Sequence, residues 1–401
     1  MNEYYPPIII ENCHLVTPDA VIERAAICMS DGVIADMGSQ IDAAGATRID
    51  ANGGYVLPGL VDLHSDALEK AIAVRASAPF PPEIALFEFD KTLVGCGVTS
   101  MFYCVSFMEG NPMSPQRTIA KAREQAALIT QYKDSLMTNS FVHARIDLPT
   151  PEAEPATRGA LQAEQVHLLS LNDHTPGQGQ HGDLDEFLEM RKRRNPETPL
   201  NKENLEILVA RHEAIDYAAI ENLVKFARDK NIPVASHDDD SADIVHERYN
   251  WGVGIAEFPV NDVAVSKANE LEMPVVLGAP NALRGMSHGG NISARDAVED
   301  KRVDCICSDY SPMSMLQSLF LMVEMGLGSL EELTRLYTLN PAMAAGLGAT
   351  TGSLEPGKAA DLILVRPDKP TAKLEMTFVA GRPVVVHAGG WQGSVAAGMA
   401  A

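Results

Sequence analysis

Nowhere in the 401-residue sequence is there a run of roughly eighteen or more uninterrupted apolar residues, so no membrane-spanning helix is expected. The opening Met1-Asn2-Glu3-Tyr4-Tyr5-Pro6-Pro7 lacks the basic head and apolar centre of a signal peptide, and a soluble, cytoplasmic protein is expected. Cysteine is scarce. Six scattered residues are too few for a disulfide scaffold. Basic residues are outnumbered, 32 Lys plus Arg against 54 Asp plus Glu, and the net charge of −22 disfavours nucleic acid and anionic membrane as partners. What is present is 46% apolar and 21% charged residues, enough to bury a large core as one big domain or two to three average ones. Neither an intrinsically disordered nor a fibrous chain is expected.

From residue 57 onward, apolar runs of strand length alternate with helix-length amphipathic stretches. Eight runs are counted: Leu57 to His64, Val98 to Val105, Asn139 to Asp147, Gln165 to Leu171, Ile232 to His237, Val253 to Pro259, Pro274 to Pro280 and Val303 to Asp309. Between them, Pro82 to Val94, Gln116 to Lys133, Ile215 to Lys230, Asp262 to Glu272 and Met313 to Met325 carry apolar residues three or four apart. Eight β/α alternations favour a closed parallel barrel over an open sheet. Short strands at both chain ends, at Ile8 to Asn12, Ala26 to Met29, Val33 to Gly38, Asp361 to Val365 and Thr377 to Val386, fit one small β-domain instead. The expected fold is therefore α/β, a (β/α)8 barrel over 57–349 with a small β-sandwich built from 1–56 and 350–388, and a flexible tail at 389–401. The stretch from Asn172 to Arg194, continuing to Leu200, is too long for an ordinary connection and is read as a functional insertion over the barrel mouth.

In such barrels the reacting side chains sit at the carboxyl ends of the strands. Here those ends read Asp62-Leu63-His64-Ser65-Asp66, His143-Ala144-Arg145-Ile146-Asp147, Leu171-Asn172-Asp173-His174, Ser236-His237-Asp238-Asp239-Asp240 and Cys307-Ser308-Asp309-Tyr310. Any one of them could be a hydrogen-bonded histidine or a helix cap, and Asp238 to Asp240 could cap the helix that follows. Three histidines and three aspartates converging on one mouth point to metal: His64, Asp66, Asp147, His174, His237 and Asp309. That set exceeds the needs of one tetrahedral ion, so two divalent cations about 3.5–4 Å apart are inferred, zinc first, with manganese or iron as alternatives. Asp147 is the candidate bridge, and Asp309 the candidate general base toward a water whose pKa a cation lowers from about 16 to about 7. Cys305 and Cys307, and Met313, Met315, Met322 and Met325, are read as packing.

Leu57-Pro58-Gly59-Leu60-Val61-Asp62-Leu63-His64, Asn340-Pro341-Ala342 and Gly352-Ser353-Leu354-Glu355-Pro356-Gly357-Lys358-Ala359-Ala360-Asp361-Leu362 resemble the amidohydrolase superfamily, which implies a metal site in a distorted β/α barrel beside a small β-sandwich. Four further segments, Leu63 to Lys70, Asn172 to Gln180, Ala235 to Asp239 and Gly278 to Asn291, are similar to one branch, the α-D-ribose 1-methylphosphonate 5-triphosphate diphosphohydrolases, in which Asp66 replaces the usual second histidine of strand one. Ser65, Ala67 and Asp147 depart from that branch's usual residues. The resemblance implies hydrolysis of a ribosyl triphosphate to the monophosphate and pyrophosphate in phosphonate catabolism. Arg284, Ser287 and His288, among Gly285, Gly289 and Gly290, would then form a phosphate-gripping loop, with Asp238 also on substrate. Lys70, Arg75 and Arg145 could add local positive charge. The expected partner is a small anionic molecule, and a homo-oligomer is expected. The alternative is hydrolysis of a C–N bond, as in a cyclic amidase, deaminase or deacetylase, with the same metals.

Overall fold

The computed structural model describes residues 6–75, 78–111, 114, 117–173, 175, 202–287, 291–368 and 371–387. The tail from Gly389, and the insertion apart from Asn172, Asp173 and Thr175, lie outside these residues, as do His174 and His288. Contacts group the chain into two compact units, Met1–Met101 with Ser135–Ser140 and Cys305–Ala401, and Phe102–Asp134 with Phe141–Asp304.

The described strands run β1 (Ile8–Val16), β2 (Val21–Ser30), β3 (Val33–Gly38), β4 (Thr47–Asp50) and β5 (Tyr55–Pro58). Next come β6 (Leu60–Ser65), β7 (Val98–Phe107), β8 (Asn139–Asp147), β9 (Leu168–Asn172), β10 (Val234–His237), β11 (Ile255–Glu257), β12 (Val275–Gly278) and β13 (Cys305–Cys307). The chain closes with β14 (Leu362–Asp368), β15 (Thr371–Val379) and β16 (Arg382–Val386). Strands β6 to β13 follow one another in a single eight-stranded sheet. A parallel bridge between Ser65 and Asp309 brings its two ends together, so the sheet is a nearly closed barrel of parallel strands. The remaining strands form a mostly antiparallel sheet from both chain ends, in the order β16-β15-β14-β5-β1-β2-β3, with β4 pairing β1. Barrel and end-built sheet are the two parts that the alternation and the flanking strands predicted.

Side-chain alternation explains the end-built sheet. Ile8, Ile10, Cys13 and Leu15 of β1 share a core with Ile27, Met29, Ile34, Leu362, Leu364 and Phe378, while Ile9, Ala26 and Cys28 pack on Ile41, Ala43 and Ala46. Ile10 and Cys13 are three apart, yet they share that first core. The pairing with β2 slips between them, and Asn12 takes the left-handed φ of 53° that this bulge needs.

The run Leu57 to His64 was expected to be one barrel strand, and the structure divides it at Gly59. Leu57 and Pro58 pair with Ile363 and Leu362 of β14, whereas Leu60 begins the barrel. The Gly59 amide donates to Asp361 O at 2.9 Å. A β-carbon on Gly59 would fall 2.1 Å from Thr99 Oγ1, so only glycine lets the chain pass from one sheet to the other here. Asp361, the last acid of the closing motif, accepts from Asn139 Nδ2 at 2.9 Å, Thr351 Oγ1 at 3.1 Å and the Ala380 amide at 2.8 Å. Burial pushes its pKa up and these three bonds hold it down.

Helix boundaries fall within a few residues of expectation, with side-chain caps at Thr118, Asp216, Ser241, Asn261 and Ser293. Ser241 therefore takes the cap that Asp238 to Asp240 could have supplied; Asp238 and Asp239 have other partners, described below. Cys305 and Cys307 are buried, as packing requires, and Met315 and Met322 are too, but Met313 and Met325 stand at 65% and 46% exposure, off the helix's packed face.

Replacing Gly59 by Ala should lower the melting temperature in thermal denaturation, by the equivalent of roughly 1–3 kcal/mol for an overpacked contact. Adding Thr99→Ala, which removes two of the three clashing atoms, should recover part of the loss.

Candidate active site

In the first unit the barrel seam places three of the expected residues. Asp62, fully buried, accepts from the amides of His64 at 3.3 Å and Ser308 at 2.9 Å, tying β6 to the residue that follows β13. Burial, with a smaller push from the Asp309 charge, lifts its pKa to about 7 against the Ser308 and His64 hydrogen bonds. The ladder continues with Asp309 N–H donating to His64 O and Asp66 N–H donating to Asp309 O, both at 2.9 Å. His64 is 2% exposed. The Asp66 carboxylate pairs with Lys70 Nζ at 2.9 Å, and that ammonium lies 4.6 Å from the centre of the Tyr310 ring.

In the second unit β8 brings His143, Arg145 and Asp147 to its buried end. Asp147 accepts from Thr150 Oγ1 at 2.7 Å. The His143 ring bridges two potential ligands, with Nδ1 3.7 Å from Cys104 Sγ and Nε2 3.8 Å from Glu257 Oε2. Ser170 Oγ donates to the same Glu257 oxygen at 2.9 Å. His237 and Glu257 also offer ligand atoms within 4.8 Å of each other. His237 Nδ1 lies 3.0 Å from Asp238 Oδ2, with both side chains under a tenth exposed. An imidazole that donates from Nδ1 to a carboxylate presents its Nε2 lone pair outward, the arrangement typical of a metal-binding histidine.

The Cys104 thiol, the His143 and His237 imidazoles and the Glu257 carboxylate are four buried donors within one unit; Cys104 and Glu257 face opposite nitrogens of His143, so no single cation takes all four, but each side offers donors of the kind a borderline divalent cation such as zinc accepts. Three of these four, Cys104, His143 and Glu257, were not among the residues picked from the sequence. Glu257 had a signal, since it is the only charge in the apolar run Val253 to Pro259. His143 had one too, alternating with Asp147 on one face of its strand. Cys104 had none.

Asp238, Phe258 and Asp309 each follow a barrel strand and each has a left-handed φ, of 61°, 52° and 58°. Their amides first complete the parallel ladder, donating to Glu257 O, Val276 O and His64 O at 2.9 Å, and the chain then turns away sharply. Non-glycine residues in that region carry strain of order 1 kcal/mol or more, a feature common at functional sites.

Beside His237 a pocket of about 130 Å³ opens against Asp238, Asp239, Tyr217, His212 and Arg248. Asp239 Oδ1 accepts from Ser236 Oγ at 2.7 Å, and burial raises the Asp239 pKa to about 6. His212 Nδ1 meets Asp173 Oδ2 at 2.8 Å. Of the expected phosphate loop, Arg284 is the last residue of the helix Ala279–Arg284 and is exposed, Gly285 caps that helix at φ 81°, and Ser287 is half-buried. The segment thus begins as a helix end, where a loop was expected directly after the strand.

The amidohydrolase family model matches residues 55–390. The chain belongs to the amidohydrolase family. This amidohydrolase is 30% identical over 367 residues to the α-D-ribose 1-methylphosphonate 5-triphosphate diphosphatase of Escherichia coli (strain K12), covering 89% of this chain and 94% of that protein. It is 27% identical over 394 residues to the imidazolonepropionase of Pseudomonas entomophila (strain L48), covering 90% and 93% of the two chains. Among solved structures, molinate hydrolase superposes with a TM-score of 0.65 at 15% identity over 95% of each chain, a likeness of fold.

Asp238→Asn should weaken metal retention by roughly 10–100-fold, because it removes the charge that orients His237. Elemental analysis after dialysis against a chelator series checks this; full retention would detach Asp238 from the metal centre.

Proposed function

We propose that this amidohydrolase is a metal-dependent diphosphohydrolase that cleaves α-D-ribose 1-methylphosphonate 5-triphosphate, or a related ribosyl triphosphate, to the 5-phosphate and pyrophosphate in phosphonate catabolism. One observation carries the reading: the 30% identity to the Escherichia coli diphosphatase extends over 89% of this chain. The buried His, Cys and Glu donors support a divalent cation, and the proposed ligands are His64, Asp66, Asp147, His174, His237 and Asp309, with His143 and Glu257 added from the geometry. Two zinc ions are proposed, with manganese or iron as alternatives. Such cations, when bound, acidify water at neutral pH and neutralise charge on a pyrophosphate leaving group.

The chain's own residues do the rest. Asp309, held at the barrel seam by its ladder bonds to His64 and Asp66, accepts the proton of the attacking water. Asp238 fixes the His237 ring. Arg284, Ser287 and His288 grip the polyphosphate tail, with the exposed Arg284 guanidinium able to chelate one phosphate through two parallel bonds. A cytoplasmic homo-oligomer acting on a small anion, with neither nucleic acid nor membrane as partner, completes the proposal; no described helix is long and apolar enough to cross a membrane. The second reading, C–N bond hydrolysis with the same metals, draws on the likeness to imidazolonepropionase over 90% of the chain.

Offering the purified protein ribosyl and nucleoside triphosphates beside cyclic amides and N-acyl amino acids separates the two readings. Pyrophosphate release from a ribosyl triphosphate is expected, and turnover of amides alone would overturn the first reading. His64→Ala and His237→Ala should each lose metal and activity together, as read by elemental analysis and turnover. Asp309→Asn should keep substrate binding and lose about 10²–10⁴-fold in kcat. Arg284→Ala should raise KM for the triphosphate at least about tenfold, since a charge-assisted contact contributes about 1.5–3 kcal/mol.

A further inference from the structure

Two residues that line the pocket beside His237 each carry a buried polar atom with no hydrogen-bond partner among the described residues, Arg248 Nη1 and Asp239 Oδ2. Arg248 belongs to the helix Ala242–Trp251 and is only 6% exposed. Its guanidinium lies 4.1 Å from the centre of the Trp251 ring and 5.5 Å from that of Tyr217, so two aromatic rings hold it. Glu247 Oε2, at 3.9 Å from Nη1, is beyond hydrogen-bond reach. A buried donor and a buried acceptor left unmade are costly, which points to an occupant that accepts from one and donates to the other.

The pocket's charge narrows the class. Asp173, Asp238, Asp239, Asp240 and Glu247 line it, against Arg248 and the two imidazoles of His212 and His237. An anionic group would be repelled by the carboxylates. An ammonium could pair with the carboxylates but offers no acceptor to Arg248 Nη1. A hydroxyl both donates and accepts, and two on adjacent carbons can serve the two atoms separately. We infer that Arg248 and Asp239 form a subsite for a neutral vicinal diol on the substrate, and that Arg248 is a specificity-determining residue. Identifying that diol with the sugar ring rests on the ribosyl triphosphate reading above; the subsite itself rests on the pocket.

Trp251 supplies the probe, because the sequence has only one other tryptophan, Trp391. In a full-length Trp391→Phe background, methyl β-D-ribofuranoside should change Trp251 fluorescence saturably. Its 2-deoxy counterpart should bind about tenfold more weakly, the scale of one lost hydrogen bond to a charged group. Arg248→Met should bind the two glycosides alike. Arg248→Lys keeps the cation but lacks the planar fork, and should lose most of the same preference, so the test survives if the Met variant fails to fold. In turnover, Arg248→Lys should raise KM for the ribosyl triphosphate about tenfold with little change in kcat, and should leave KM for the 2-deoxyribosyl analogue unaltered. No fluorescence response to the glycoside, meaning that water alone fills the pocket, overturns the inference, as does a preference for the ribofuranoside over its 2-deoxy counterpart that stays undiminished in the Arg248 variants. Glycoside binding that depends on Arg248, in a protein that hydrolyses no triphosphate, upholds the subsite and overturns the proposed reaction.

Discussion

Closing a barrel on a last strand of three residues is the constraint on which the catalytic end depends. β13 spans only Cys305 to Cys307, too short for a full ladder with β6, and the seam is completed by groups beyond it. The Asp62 carboxylate binds the amides on both sides, and the left-handed turn at Asp309 lets its amide and carbonyl reach His64 and Asp66. A buried acid with a pKa near 7 is a costly choice for a seam, and its hydrogen bonds to fixed backbone amides offset part of that cost. The same carboxylate that closes the seam therefore sets where His64, Asp66 and Asp309 stand.

Strand ends in the second unit obey a similar logic. Asp238 completes the ladder to β11, turns left-handed and then orients His237. Ser170 holds Glu257, and Thr150 holds Asp147. His237, Glu257 and Asp147 are thus each fixed by a neighbour that is not itself a proposed ligand, which is how a site keeps its geometry before a cation arrives.

The eight runs and the polar residues at their ends were legible in the sequence because burial on both faces makes a parallel strand a continuous apolar word, interrupted only where chemistry requires. That same continuity hid the break at Gly59, since Leu57 and Leu60 look alike although they serve different sheets. Glu257 was passed over because its strand is three residues long and is followed at once by Phe258 and Pro259. Arg248 was not picked out from the sequence at all. Its burial depends on Trp251, one turn away, and on Tyr217, thirty-one positions earlier in the sequence, and no periodicity reports the second contact.

The end-built sheet ties strands β1 to β5 to strands β14 to β16. Its central pairing, β5 with β14, joins residues some three hundred positions apart, and β16 is not finished until Val386. During synthesis, β1, β2 and β3 can form a meander early, but the open edge of β5 and part of the core around Ile10, Leu15 and Ile27 must wait while the whole barrel emerges from the ribosome. A waiting, unpaired edge of that kind is an invitation to pair with another chain. Production of this protein is thus most exposed to aggregation before its final strands appear, and a shortened C-terminus that removes β14 to β16 would make that exposure permanent.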